Sequence, residues 1–91
     1  MNNGGLRASI KKHNDMEGTR IKRENIEVFL DINLGRLAKN YLQKSPSWLY
    51  HKLDGRDGNG KETDFTPEEL QQLKGALCDL ADRIRRAADN L

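Results

Sequence analysis

Ser47, Tyr50 and His51 fall three and four residues apart, so a helix drawn through residues 46–53 would carry a hydroxyl, a phenol and an imidazole on one face. Such groups suit hydrogen bonding to base edges in a major groove, where each base pair displays its own donor and acceptor pattern. Around them stand Arg36, Lys39, Lys44, Lys52, Arg56 and Lys61, which outweigh Asp31, Asp54 and Asp57 between residues 31 and 61. Cations so concentrated would hold phosphates and position the reading groups. The competing reading is a solvated helical surface, the usual state of lysine and arginine.

Catalysis finds no comparable grouping. His13 and His51 are far apart and neither adjoins Cys78, so no thiol nucleophile is activated along the sequence. No Cys, His, Asp or Glu spacing fits a zinc site. Asp54, Asp57, Asn59 and Glu62 miss the ligand positions of a calcium loop. Glycines 55, 58 and 60 follow no strand and lead to no Lys-Ser or Lys-Thr pair, unlike a phosphate-cradling loop.

The elements that would position the reading face are legible on either side of it. Asn33 can cap a helix in which Leu34, Leu37, Ala38, Tyr41 and Leu42 share one apolar side. That helix stops near Gln43-Lys44, because Ser45-Pro46 is a fresh start with a hydroxyl cap and a proline at the first position. In the second helix Leu49 and Leu53 point inward with Trp48 beside them, and Gly55 supplies the left-handed terminus. Ser47, Tyr50, His51 and Asp54 remain outside. A pair of helices meeting at a tight corner can present the second to DNA, or it can simply pack.

At these residues the segment resembles the helix-turn-helix of the Cro and lambda-repressor family. Ala38 matches its small residue in the first helix, Ser45 the opening of the recognition helix, Leu49 the buried aliphatic, and Gly55 the closing glycine. Leu42-Gln43-Lys44 stands where a turn glycine is usual, making the turn about one residue longer. More closely, Leu37 to Tyr41, Lys44-Ser45, Ser47 to Tyr50, Gly55, Asn59-Gly60-Lys61 and Phe65 to Leu70 resemble a small uncharacterised bacterial family with a domain of unknown function. That similarity runs from Ile32 to Ile84 and implies a shared fold more than an activity.

Thr66-Pro67-Glu68-Glu69 combines a hydroxyl cap, a first-turn proline and a glutamate able to close a capping box. From it Leu70, Leu73, Leu77, Leu80, Ile84, Ala87 and Leu91 alternate at three and four, with Ala76, Ala81 and Ala88 alongside. The first turns are expected to roof the core and the turns beyond Leu80 to lie against a second copy. Gly75 inside this helix suggests close packing against a neighbour, and Arg83, Arg85 and Arg86 suit its negative pole. Between Gly55 and Thr66 the turn-forming residues predict a loop with at most a rudimentary ribbon, returned to the core by Phe65.

Upstream, Ile21, Ile26, Phe29 and Leu30 predict one bracing helix starting at Thr19 or just after. Residues 1–18 read as a flexible polar arm carrying Arg7, Lys11 and Lys12, which could lie along DNA or have no task. With 91 residues, 35% hydrophobic and 33% charged, the chain allows one domain with a modest core, for which self-association is the readiest added stabilisation. A net charge of +2 permits nucleic acid without demanding it. Cys78 has no partner for an internal disulfide, and we expect it to be a quiet, semi-buried thiol in a reducing compartment. No apolar run reaches membrane-spanning length.

Together these readings predict an all-α fold, a small lambda-repressor-like bundle of about four helices, with residues 19–91 as the helix-turn-helix domain. Duplex DNA is the expected partner, met at base edges by Ser47, Tyr50 and His51 and at phosphates by Arg36, Lys39, Lys44, Lys52, Arg56 and Lys61. A homodimer through the C-terminal helix, no cofactor, no metal, no catalytic residue and no membrane complete the expectation, with a cytoplasmic location. The alternative is a protein-interaction or assembly module that binds no nucleic acid, in which Trp48 and Tyr50 plug a partner.

Overall fold

Capping chemistry sets most of the helix boundaries in the computed structural model, which describes residues 16–91. Five helices follow in order: α1 Glu17–Glu24, α2 Ile26–Leu30, α3 Leu34–Leu37 continued by a π turn Ala38–Leu42, α4 Pro46–Asp54 and α5 Pro67–Asp89. The fold is all-α. Among the described residues the only β pairing is an isolated bridge between Arg56 and Glu62, the rudimentary ribbon expected there.

The fifth helix arises because the expected first one is broken. Asn25 donates from its side-chain amide to the Ile21 carbonyl at 2.9 Å, the same oxygen its backbone N–H reaches at 3.1 Å. Its backbone sits at φ −125°, ψ 24°, and the helix restarts at Ile26. Side-chain competition of this kind is why asparagine interrupts helices.

α1 also begins earlier than Thr19. The Asp64 carboxylate accepts from the backbone N–H groups of Glu17 and Gly18, each at 2.8 Å, across 47 and 46 residues of chain. No local residue signals that start, because the cap comes from the far end of the loop. Residues 16–18 of the expected arm are instead the N-cap and first two residues of α1. The rest of it, with Arg7, Lys11 and Lys12, lies outside the described residues.

Gly18 is buried where α1 meets α4. A Cβ there would overlap the carbonyl oxygen of Lys52 and crowd Phe65, so only glycine permits this approach. Lys52 in turn donates its ammonium to the Asp64 carbonyl at 2.7 Å and pairs with Glu69 at 3.4 Å. One knot thus ties the start of α1, the last turn of α4, the loop and the first turn of α5.

The core is small. Phe29, Leu34, Leu37, Ala38, Leu42, Leu49, Leu53, Phe65, Leu73 and Ala76 make it up, with Leu49 wholly enclosed. α5 opens with the expected capping box, Thr66 Oγ1 accepting from Glu69 N–H and the Glu69 carboxylate accepting from Thr66 N–H. Its first half roofs the core through Leu73 and Ala76, flanked by Leu70, Leu77 and Leu80. From Ala81 to Leu91 every residue is exposed.

A Cβ at Gly75 would meet nothing within 4 Å, so no packing within the described chain requires glycine there. One expectation for α5 needs correction. Cys78 is exposed rather than semi-buried, since it lies on the side of the helix away from the Leu73 and Ala76 contacts. No helix among the described residues is long and apolar enough to cross a membrane.

Candidate nucleic-acid interface

α3 and α4 pack against one another through the side that the sequence marks as apolar. Asn33 caps α3, its side-chain oxygen accepting from Arg36 N–H at 3.0 Å, and Leu34, Leu37 and Ala38 are buried beneath it. The turn then solves the problem of its extra length. A π turn over Ala38–Leu42 absorbs one residue within the helix, and Gln43 takes the left-handed conformation at φ 54° that glycine would favour. The Lys44 N–H closes on the Ala38 carbonyl at 3.0 Å.

α4 starts at once. Ser45 Oγ accepts from Trp48 N–H at 3.2 Å, Pro46 occupies the first turn, and Gly55 at φ 79° ends the helix. Leu49 and Leu53 are 0% and 2% exposed, so the inner face is fixed. Ser47 and Asp54 are exposed and Tyr50 is 46% exposed, which leaves an outward ridge beginning at the N-terminal end of the helix. His51 is only half-buried, with the backbone of Gly58 beside its ring. Asp54, at the C-terminal end of the ridge, is paired with Lys22 of α1 at 2.7 Å.

The cations expected at phosphates divide into three groups. Arg36, Lys39 and Lys61 are exposed. Lys44 is also exposed, with its ammonium 5.2 Å from the centre of the Trp48 ring, and Arg56 donates to the Gly60 carbonyl at 3.1 Å. Lys52 departs from expectation: its ammonium is turned inward to Asp64, Glu69 and the Trp48 ring, and its side chain is 14% exposed. A long apolar stem lets a lysine reach back into the structure, and helical periodicity alone does not reveal that.

Trp48 is likewise committed. Half-buried, it meets Phe65 edge to face at 6.1 Å between ring centres and carries Lys44 and Lys52 as cation–π partners. The loop after α4 is held firmly, Asp57 Oδ1 accepting from the N–H groups of Asn59 at 2.8 Å and Lys61 at 3.0 Å. Thr63 N–H returns to the Gly55 carbonyl at 3.0 Å, so the loop leaves and rejoins the domain beside the end of α4.

One polar cluster escapes sequence reasoning altogether. Tyr41 donates its hydroxyl proton to Asp79 and accepts from Arg83 Nη1 at 2.9 Å, joining α3 to α5. The hydrogen bond to Tyr41, aided by the charge of Asp79, raises the Arg83 guanidinium above its ordinary pKa. Asp79 and Arg83 are one turn apart on α5, but nothing in their spacing points to Tyr41, about 40 residues earlier.

No curated protein and no solved structure matches the chain. Residues 21–91 match a family described as a domain of unknown function (DUF5053), a span that takes in α3, the turn, α4, the loop and all of α5. The chain therefore belongs to that DUF5053 family.

Proposed function

We propose that this domain binds duplex DNA, with α3 and α4 acting as a helix-turn-helix and α4 entering the major groove. The observation that carries the proposal is the two-faced state of α4: Leu49 and Leu53 are enclosed while Ser47 and Tyr50 stand free. A helix anchored on one side and open along the other is what the groove admits. In this reading Ser47 and Tyr50 meet base edges and His51 lies at the margin. Arg36, Lys39, Lys44, Arg56 and Lys61 hold phosphates, while Lys52 serves the fold. A regulator of transcription or an accessory protein of a mobile element would use such a unit.

The test is fluorescence anisotropy with random and mixed-sequence duplexes across a salt series. Binding should be detectable near about 50 mM salt and fall steeply as salt rises, since affinity rests on phosphate neutralisation. Tyr50→Ala should reduce discrimination between sequences more than it reduces affinity for random duplex. Absence of retention at low salt would defeat the proposal.

A second reading is favoured by α2, where Ile26, Val28 and Leu30 are 39%, 56% and 76% exposed. Ile26, Leu30, Leu34 and Tyr50 line one shallow groove of about 470 Å³, which an apolar partner helix could occupy. Leu30→Ala should weaken such docking and, because it adds no charge beside Tyr50, leave duplex binding intact, which separates the two readings.

A further inference from the structure

The cleft between α3 and α5, of about 240 Å³, is lined on its polar side by Arg36, Arg83, Asn33 and Asn40, with Asp31 as its single carboxylate. These four bring hydrogen-bond donors in excess. The Arg36 guanidinium makes no hydrogen bond or ion pair among the described residues. Arg83 uses one N–H group on Tyr41, and because the Tyr41 proton goes to Asp79 that bond runs in one direction only. Among the described residues the remaining N–H groups of the guanidinium have no partner. Asp79 does not line the cleft, so it steadies Arg83 through Tyr41 without filling the space.

A cleft with two guanidiniums and two side-chain amides is suited to an oxyanion with several acceptor oxygens, since guanidinium forks match phosphate geometry. Its place in the fold indicates the source. Asn33 and Arg36 stand at the N-terminal end of α3, and the neighbouring Gly35 packs against Pro46, the first residue of α4. The cleft and the leading end of the reading helix thus share one end of α3.

Resting on the DNA-binding reading above, we infer that this cleft grips a phosphate of the duplex backbone, with Arg36 and Arg83 as the contacting groups and Tyr41 as the positioning residue. It would extend the footprint from α4 onto α5. Arg83 then has a task beyond suiting the negative pole of its helix.

The experiment compares the salt dependence of duplex binding for the full chain and for Arg83→Ala, Arg83→Lys, Arg36→Ala and Tyr41→Phe, with thermal melts to verify folding. Arg83→Ala should lower the slope of log affinity against log salt by about one unit without changing sequence preference. Arg83→Lys should retain the slope, and Tyr41→Phe, which keeps the charge but frees it, should weaken binding less than Arg83→Ala does. Should Arg83→Ala melt poorly, Arg36→Ala carries the same expectation, since that side chain is exposed and bonds to nothing among the described residues. Inorganic phosphate, added to the free protein and followed through the arginine side-chain NMR signals, distinguishes the source of the oxyanion. A wild type that binds duplex with a slope indifferent to both arginines overturns the inference and leaves the DNA-binding reading standing. Failure of the wild type to bind any duplex, with phosphate still moving the Arg36 and Arg83 signals, overturns DNA binding and the backbone source while the oxyanion cleft stands. A wild type that binds no duplex and whose Arg36 and Arg83 signals do not respond to phosphate overturns all three.

Discussion

The first half of α5 and the knot around Gly18 hold the same domain together by opposite means. α5 is secured locally: Thr66 and Glu69 cap each other three residues apart, and Leu73 and Ala76 then fall on the core at helical spacing. The knot is secured across the chain, with Asp64 capping α1 from 46 residues away and Gly18 seated on the backbone of Lys52. Local devices can be read one residue at a time. Distant ones exist only once the chain has folded, so substitutions in the two regions should differ in size and in sign.

The largest difference is expected at Gly18, the most constrained of the helical glycines. Gly18→Ala places a methyl group against the Lys52 carbonyl, a backbone atom that cannot step aside, and against Phe65. Overpacking of this sort should cost about 3 kcal/mol, a drop in melting temperature of roughly 12–24 °C for a domain this small. A melt within a few degrees of the wild type would mean that α1 can shift off α4, and the knot would be looser than its geometry indicates.

The two caps come next. Asp64→Ala removes the acceptor for three backbone N–H groups, those of Glu17, Gly18 and Phe65. Thr66→Ala removes one, that of Glu69. Losses of about 2 and about 1 kcal/mol follow from ordinary capping values. Amide hydrogen exchange sharpens the comparison: Asp64→Ala should speed exchange at Glu17 and Gly18 and spare Glu69, and Thr66→Ala should do the reverse. Equal effects on both sets of amides would erase the distinction between local and distant capping.

The same distinction governs what the sequence made legible. Asn33, Ser45 and Thr66 read correctly as caps because each bonds to an N–H three residues on. Leu49 and Leu53 facing in, and Ser47 and Tyr50 facing out, follow from helical period alone. The unusual length of the turn was visible too, whereas its resolution into a π turn and a left-handed Gln43 was not, because several backbone paths satisfy the same residues. Lys52 misleads for a different reason. Its Cα lies where periodicity puts it, but its ammonium is claimed by Asp64 and Glu69, which meet α4 only in the folded state. Arg83 is the converse case, unremarkable at the end of a helix until Tyr41 is brought against it.

The smallest expected effect is at Gly75, and it has the opposite sign. The sequence suggests that glycine in the middle of α5 marks a close neighbour, yet a Cβ at this position meets open space within the described chain. Helix propensity then acts alone, and Gly75→Ala should stabilise by up to about 1 kcal/mol, raising the melting temperature by roughly 4–8 °C. The measurement is most informative across a range of protein concentrations. A gain that is constant with concentration means that nothing covers this face of α5 in solution. A loss that grows with concentration means that a second copy packs closely against Gly75, in which case the glycine belongs to an interface, and α5 too would owe part of its sequence to contacts that local reading does not reach.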